Sequence, residues 1–166
     1  MFSFNANDFN LAEAVISALQ KASCTVASAE SCTGGLISAV LTSVPGSSAV
    51  VMGGATTYSN ESKSNILSVD PSLIKTHGAV SSEVASAMAE GTRQKFGTDI
   101  GVSATGIAGP DGGTLTKPVG LVWIGIATAQ GTESHELRLH GDRESIRSQT
   151  VRIMLNKLAE LMKAKK

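Results

Sequence analysis

The sequence predicts a single three-layer α/β/α domain over residues 1–166, with a mostly parallel but mixed sheet between two layers of helices. Short aliphatic runs alternate with segments of helical periodicity, which favours strands joined in parallel through helices. Hydrophobic residues make up 42% of the chain and aromatic residues 4%, which is typical of closely packed aliphatic layers. One tight turn at Gln130-Gly131 joins two strand-like runs, and since a tight turn joins antiparallel neighbours, the sheet is expected to be mixed.

The first half of the chain alternates helices with two strands, and turn residues set their limits. Apolar residues recur at helical spacing after Asp8, while Pro45-Gly46 ends one helix and Asp70-Pro71 begins another. The polar run from Ser59 is typical of a helix N-terminus. The expected elements are a helix over 8–22, a strand over 25–29, a helix over 36–42, a strand over 49–58 with a bulge at Gly53-Gly54, and helices over 60–67 and 72–76.

The second half of the chain contains three strands and two longer helices. Ser81 is a suitable cap for the first of these helices, and the run from Gly120 to Thr128 is almost continuously apolar, as in a strand covered on both faces. Glycines and prolines prevent either element from continuing between Thr105 and Pro118. The expected elements are a connector over 77–80, a helix over 82–96, a strand over 100–104, a loop over 105–118, strands over 120–128 and 133–140, and a helix from Gly141-Asp142 onward.

Charge and cysteine content argue against several classes of function. The formal net charge is zero, whereas proteins that bind DNA or RNA carry a clustered basic surface. Cys24 and Cys32 have neither the spacing of a disulfide framework nor that of a metal site, and the histidines are scattered. No apolar run reaches the ~20 residues that cross a membrane. We therefore expect a cytoplasmic protein without a nucleic-acid partner, a membrane span, a metal or a cofactor.

The turn between the first strand and the second helix is a candidate binding site. It reads Ala-Glu-Ser-Cys-Thr-Gly-Gly over 29–35, and free N–H groups at a helix start favour an anion. Ser31, Cys32 and Thr33 add small polar side chains to the same opening. Such a turn also has a structural interpretation, because Thr33 can cap a helix and glycine relieves a tight turn. A second glycine-bearing loop, Thr105–Gly113, follows a buried strand, and loops of this kind gather at one edge of an open sheet.

Ser48, Tyr58 and Lys63 form a third candidate group. A serine becomes a nucleophile when a base takes its proton, and a lysine can be that base where burial or nearby positive charge lowers its pKa. A tyrosine can relay the proton or donate a hydrogen bond to the reacting oxygen. The chain has no Gly-x-Ser-x-Gly motif, so a serine–lysine pair is the hydrolytic option. The three residues also fit a structural interpretation, as a turn serine, a strand-ending tyrosine and a solvated lysine.

Seven short blocks of this sequence resemble the motif series of the CinA C-terminal domain family, and they occur in the family's order. The blocks are AESCTGG over 29–35, GSSA over 46–49, TYSNESK over 57–63, HGAVS over 77–81, TGIAGPDGG over 105–113, KPVG over 117–120 and GDR over 141–143. Stand-alone members of this family are nicotinamide-nucleotide amidohydrolases, or NMN deamidases. They convert nicotinamide mononucleotide and water to nicotinate mononucleotide and ammonia.

The resemblance implies a metal-free serine–lysine amidase of pyridine nucleotide salvage, with Ser31, Ser48, Tyr58 and Lys63 on the family's active-site positions. We expect Ser48 to be the nucleophile and Lys63 the general base. Tyr58 would assist the movement of the proton. Ser31 is the rival nucleophile, because the attacking oxygen must lie within hydrogen-bond reach of its base and the sequence leaves that distance open.

The substrate is expected to lie between the two glycine-bearing loops and the start of the last helix. Thr105 and Gly106 would supply hydroxyl and N–H donors, and Arg143 or Arg147 would bind the phosphate. The expected substrate-binding residues are Glu30, Cys32, Thr33, Gly34, Gly35, Thr105, Gly106, Ile107, Ala108, Gly109, Arg143 and Arg147.

Two other functions remain open at this stage. The same loops could bind a nucleotide without turnover, as in a regulatory module, although a decayed enzyme would be expected to have lost one of the candidate catalytic residues. The family name also suggests a competence-associated protein. Many members carry a larger N-terminal domain, and since Met1 precedes the first expected helix by few residues, the deamidase function alone is expected here. Self-association is common in the family, so a homo-oligomer is expected.

Overall fold

The computed structural model describes residues 4–164, so residues 1–3 and 165–166 of the expected domain lie outside the described residues. Helices and strands alternate through most of the chain, as expected. The elements are α1 (Ala6–Lys21), β1 (Val26–Glu30), α2 (Leu36–Thr42), a single 3₁₀ turn (Ser47–Ala49), β2 (Val51–Thr56), α3 (Asn60–Leu67), α4 (Pro71–His77), α5 (Ser82–Phe96), β3 (Ile100–Gly106), β4 (Leu121–Thr128), β5 (Gly131–Arg138) and α6 (Arg143–Ala164).

The strands form one mixed sheet in the order β2-β1-β3-β4-β5. β1 lies parallel to both of its neighbours, whereas β3, β4 and β5 pair antiparallel. Helices α1, α2 and α6 share a hydrophobic core with one face of this sheet, and a second cluster joins α3, α4 and α5 to the other face. The predicted three-layer fold with a mixed sheet is therefore confirmed.

The edge strand β2 departs most from the expectation. It begins at Val51 and ends at Thr56, and the preceding residues form the 3₁₀ turn. Val26 pairs with Val51 and the next residue pairs with Gly53, so the extra residue of the irregular register is Met52. The glycine pair allows close packing instead, because a Cβ on Gly53 would lie 2.7 Å from the ring of Phe96.

Three strands end at the same edge of the sheet and bring their following loops together. β1 and β2 are parallel, as are β1 and β3, so the segments after Glu30, Thr56 and Gly106 meet there. The main chain continues the ladders one residue further: the N–H of Ser31 donates to the carbonyl of Ala104 at 2.9 Å, and the N–H of Thr57 donates to that of Glu30 at 2.8 Å. Both loops therefore leave the sheet in fixed directions.

Candidate active site

A cavity of about 230 Å³ lies at this edge of the sheet. Its wall combines the segments that follow β1, β2 and β3 with the start of α6 and the connector before α5. Its lining includes polar and ionisable side chains that can bind a ligand or take part in a reaction: Ser31, Lys63, Tyr58, Thr105 and Arg143. The structure thus brings together five segments that lie far apart in the sequence.

Lys63 lies at the bottom of this arrangement and is 1% exposed. Its Nζ is 3.1 Å from the Oγ of Ser31, 2.8 Å from the carbonyl of Thr57 and 3.3 Å from the carbonyl of Tyr58. Burial lowers the pKa of this amine, because the charged form loses its hydration. A neutral amine has two N–H donors and one lone pair. It can therefore donate to both carbonyls and accept a hydrogen bond from the serine hydroxyl.

Local structure explains why Lys63 reaches this position. Ser59 caps α3, and its hydroxyl accepts a hydrogen bond from the N–H of Ser62 at 3.1 Å. The helix therefore starts directly after β2, and Lys63 lies in its first turn, close to the strand end. The same capping places the lysine side chain against the carbonyls of Thr57 and Tyr58, which lie just before the helix. A turn formed by residues close together in sequence thus places Lys63 in the cavity.

Glu30 is fully buried under the turn that carries Ser31. Its carboxylate accepts hydrogen bonds from the main-chain N–H groups of Gly35, Ile37 and Ser38 at 2.8–3.0 Å, at the start of α2. The helix start predicted to bind an anion is therefore filled by the protein's own carboxylate, which uses the same free N–H groups and the same end of the helix dipole. Glu30 orders the turn from beneath.

The remaining residues of this turn divide between the cavity and the interior. Cys32 lines the cavity, and burial raises the pKa of its thiol to about 12, so it is a neutral group at physiological pH. Thr33 is buried, and its carbonyl accepts a hydrogen bond from Arg147 Nη2 at 2.8 Å. Gly34 and Gly35 have φ angles of 61° and 98°, which supply the left-handed turn into α2.

Ser48 is not brought to this site. It is an exposed residue of the 3₁₀ turn at the start of β2, whereas Tyr58 and Lys63 follow the end of that strand. The strand has six residues. At about 3.3 Å per residue it separates the two ends by roughly 20 Å. A base at Lys63 cannot reach a hydroxyl at Ser48 across that distance.

Tyr58 and Arg143 meet at the mouth of the cavity. The tyrosine is 62% exposed, and its hydroxyl accepts a hydrogen bond from Arg143 Nη2 at 3.3 Å. Arg143 Nη1 also donates to the carbonyl of Gly109 at 2.8 Å. Tyr58 contacts Lys63 through its carbonyl rather than its phenol, so the expected proton relay has no direct path in this geometry. Of the two candidate arginines, Arg143 lines the cavity and Arg147 binds the turn at Thr33.

The segment after β3 supplies one wall. Gly106 and Ala108 line the cavity, while the N–H of Ile107 donates to the carbonyl of Leu121 at 2.9 Å. The hydroxyl of Thr105 donates to the carbonyl of Ala79 at 2.8 Å. A hydroxyl has one proton, so Thr105 in this arrangement can accept a hydrogen bond from a ligand but not donate one, contrary to the expectation.

Sequence reasoning missed part of the wall. Asn60, Ala79 and Val80 line the cavity although none was predicted to bind substrate. All three lie inside the blocks that carry the family resemblance, so the signal was present in TYSNESK and HGAVS. Within residues 4–164, no group of three His, Cys, Asp or Glu side chains is placed to hold a metal ion. None of the helices in that range is both long and apolar enough to span a membrane.

Comparisons with known proteins identify the family to which this chain is similar. The family model described as the CinA C-terminal domain matches residues 8–162. A "CinA-like protein" of Dictyoglomus thermophilum is 52% identical over 149 residues, which cover 90% of this chain and 36% of the relative. A "CinA-like protein" of Gemmatimonas aurantiaca is 46% identical over 157 residues, 95% of this chain and 37% of that relative. The chain thus spans little more than a third of the length of these curated relatives.

Solved structures show the same fold over nearly the whole chain. The competence/damage inducible protein CihA from Agrobacterium tumefaciens superposes with a TM-score of 0.93 at 41% identity and covers 97% of this chain and 99% of its own. A CinA superfamily protein from Klebsiella pneumoniae superposes with a TM-score of 0.92 at 33% identity, covering 95% of this chain and 99% of its own. The chain belongs to the CinA C-terminal domain family.

Proposed function

We propose that this protein hydrolyses the carboxamide of nicotinamide mononucleotide to give nicotinate mononucleotide and ammonia, with Ser31 as nucleophile and Lys63 as general base. One observation carries the proposal: a buried lysine amine lies 3.1 Å from a serine hydroxyl at the bottom of a cavity. The family's amidohydrolase members supply the reaction, and the geometry supports Ser31 in place of the expected Ser48.

The lowered pKa of Lys63 supports its role as base. The neutral amine takes the proton of Ser31 as the serine oxygen attacks the carboxamide carbon. The ammonium group of Lys63 then gives that proton to the amide nitrogen as the tetrahedral intermediate collapses, so the C–N bond breaks and ammonia leaves. Water, deprotonated by the same amine, attacks the acyl ester. The ester C–O bond breaks, the ammonium group of Lys63 returns the proton to the Ser31 oxygen, and nicotinate mononucleotide is released. The main-chain N–H of Gly106, in the facing wall, is the proposed donor to the oxyanion.

Arg143 is the proposed phosphate ligand. It lines the mouth of the cavity, and its guanidinium is already held by Gly109 and Tyr58, so binding immobilises it at a reduced entropic cost. With the carboxamide at Ser31, the pyridine ring lies in the cavity and the ribose phosphate extends toward the mouth. Arg147 is engaged with Thr33 and is proposed to support the turn instead.

The test is ammonia release from nicotinamide mononucleotide by the purified protein and by Ser31→Ala, Ser48→Ala and Lys63→Met, each with and without a chelator. Ser31→Ala and Lys63→Met should lose at least about 10³-fold in kcat, since each removes a group required for nucleophilic attack. Ser48→Ala is the matched control, because it makes the same change at an exposed serine outside the cavity, and it should keep full activity.

Two results would contradict the proposal. Loss of activity in Ser48→Ala with retention in Ser31→Ala would return the nucleophile to Ser48. A wild-type protein that binds the nucleotide and releases no ammonia would favour a binding module over an enzyme.

A further inference from the structure

Lys117 lies in the long loop between β3 and β4 and reaches back to the connector between α4 and α5. Its Nζ donates to the carbonyl of His77 at 2.6 Å and to the carbonyl of Val80 at 2.8 Å. Such short distances are typical of hydrogen bonds in which the donor is charged. Its main chain is held as well, because its N–H donates to Thr114 Oγ1 at 2.9 Å and its carbonyl accepts from the N–H of Thr114 at 2.8 Å.

The connector is shaped to receive this ammonium group. Gly78 has a φ of 77°, which favours glycine, and a Cβ at this position would lie 2.8 Å from Lys117 Nζ. A side chain on Gly78 would therefore displace the ammonium group from the two carbonyls on either side. Both the backbone conformation and the free space at Gly78 serve the same contact.

The contact fixes one wall of the candidate active site. Ala79 and Val80, which follow Gly78, line the cavity that contains Ser31 and Lys63. The carbonyl of Ala79 also accepts the hydroxyl proton of Thr105 at 2.8 Å. This wall is therefore held from two directions, by β3 and by Lys117.

The same loop also reaches the mouth of the cavity. The carbonyl of Gly109 accepts a hydrogen bond from Arg143, the proposed phosphate ligand, at 2.8 Å. The loop thus connects the Ala79–Val80 wall with the mouth of the cavity at Arg143. A substitution at Lys117 would break one of the two contacts that join the loop to these parts of the cavity.

We propose that Lys117 is a positioning residue for the nucleotide: its ammonium group holds the Ala79–Val80 wall at the spacing that the substrate requires. This inference rests on the proposed function. Lys117 is absent from the cavity lining and acts through the connector. The wall contacts the substrate before and during the reaction alike, so its loss should affect binding more than chemistry.

The first test is the kinetics of Lys117→Met with nicotinamide mononucleotide. KM should rise about 10-fold while kcat changes less than about 3-fold, which is the pattern of lost uniform binding. Lys117→Arg keeps the charge and the donors and should recover most of the affinity. Lys75→Met is the control, because Lys75 is an exposed lysine of α4, close in sequence to the connector, and it should leave KM unchanged.

A second variant tests the contact independently. Gly78→Ala should raise KM in the same way, and the double variant with Lys117→Met should be no worse than the poorer single variant, because both changes break one interaction. If Lys117→Met does not fold, Gly78→Ala and Lys117→Gln provide the comparison. A KM within 2-fold of wild type in these variants, or a loss of Tm without a change in KM, would overturn the proposal.

Hydrogen exchange of the ligand-free protein separates this proposal from the proposed function. Amides in the 78–81 connector should exchange faster in Lys117→Met than in wild type and Lys75→Met, whatever the protein catalyses. If wild type releases no ammonia, the proposed reaction is wrong, and the Kd for the nucleotide replaces KM as the readout. Unchanged exchange together with an unchanged Kd would overturn the role of Lys117, and so would a complete absence of nucleotide binding.

Discussion

Lys63 carries the main electrostatic penalty of the site. A lysine that is 1% exposed loses nearly all of its contact with water, and its neighbours are two carbonyls and a hydroxyl rather than a carboxylate. These acceptors hold either protonation state but do not neutralise a positive charge. Burial therefore lowers the pKa of this amine, so it loses its proton more readily than an exposed lysine, at the expense of stability at pH values where the amine is charged.

The pH dependence of stability should show this penalty. Folding lowers the pKa of Lys63 below its ordinary value of 10.5, so between the two pKa values the unfolded chain binds more protons than the folded protein. The free energy of unfolding should therefore rise with pH through that window. The penalty reaches its full size below the folded pKa and disappears above the ordinary one.

Urea unfolding of wild type and Lys63→Met between pH 7 and pH 10 measures this effect. The stability of the variant relative to wild type should be greatest at the lower pH and should decrease as the pH rises. In parallel, kcat/KM of wild type should rise with pH through the lowered pKa of Lys63, since the neutral amine is the active form. A stability difference that does not vary with pH would contradict the lowered pKa of Lys63.

Glu30 should contribute to stability through the turn that it orders. Glu30→Gln keeps the size of the side chain but replaces one acceptor oxygen with an NH₂ group that faces main-chain N–H donors. We expect the free energy of unfolding to fall by about 2–4 kcal/mol, because hydrogen bonds to a charged group are lost and a buried donor is left unpaired. Since the turn presents Ser31, kcat should fall as well.

The measurement is urea unfolding monitored by circular dichroism, with ammonia release as the activity assay. Glu13→Gln is the matched control: it makes the same change on the exposed face of α1 and should alter stability by less than about 0.5 kcal/mol. Equal stability of Glu30→Gln and Glu13→Gln would show that the carboxylate is not needed to order the turn.

Individual site residues could be predicted from the sequence where the chain itself brings them together. Lys63 follows Tyr58 by five residues in the chain, so a lysine near the strand end was predictable, and the family resemblance supplied Ser31 as a candidate. Which serine faces the lysine depends on how β1 and β2 pair across the sheet, which the local pattern does not contain. Glu30 was expected to bind substrate, because the sequence does not show that its side chain is buried beneath the turn.

At the scale of elements, α5 packs closely against the sheet and against α3. Cβ atoms on Gly101 and Gly125 would collide with main-chain carbonyls of α5, and Ser103 donates a hydrogen bond to the carbonyl of Ala85 at 2.6 Å. The same helix approaches α3 at Gly91, where a Cβ would collide with the carbonyl oxygen of Leu67. Because α3 carries Lys63, the packing of α5 also determines where Lys63 lies.

Gly91→Ala tests this packing. Alanine has a higher helix propensity than glycine by about 1 kcal/mol, so an isolated helix would gain stability. Here we expect a net loss of about 1–3 kcal/mol, because the new methyl group must displace the end of α3. The displacement should also reduce kcat by moving Lys63 relative to Ser31.

Thermal unfolding and ammonia release of Gly91→Ala provide the measurement. Lys95→Ala, on the exposed side of the same helix, is the control and should be close to wild type in both assays. A Gly91→Ala protein that is more stable than wild type would mean that α3 and α5 are not in fixed contact.

The order and type of the elements could largely be predicted from hydrophobic periodicity and turn residues. Periodicity is strong in α1, α5 and β4, whose limits differ from the prediction by at most two residues. It is weak in the edge strand β2, where the residues before Val51 form a 3₁₀ turn and the glycine pair accommodates Phe96 and α2. Contacts between layers decide such segments, and they are long-range in sequence.

At the scale of the whole molecule, the two ends of the described chain are tied together. Asp8 in α1 is buried, and its carboxylate lies 2.8 Å from Arg152 Nε in α6 and accepts a hydrogen bond from the N–H of Asn5. The two helices share one hydrophobic core with α2 and the sheet. The core on the other face uses the same strands, so we expect both layers to unfold together as one domain.

Asp8→Ala tests whether the layers are coupled. The variant loses the ion pair and one half of the capping box, and its free energy of unfolding should fall by about 1–3 kcal/mol. The single tryptophan, Trp123, lies in β4 and reports on the sheet, whereas far-ultraviolet circular dichroism reports mainly on the helices. In wild type the two urea transitions should coincide, and in Asp8→Ala both should shift by the same amount, while Glu13→Ala shifts neither. A dichroism transition that moves to lower urea while Trp123 fluorescence stays in place would mean that α1 and α6 form a separately unfolding unit. Coincident shifts with an unchanged kcat would instead show that one cooperative sheet supports both helical layers and carries the site at its edge.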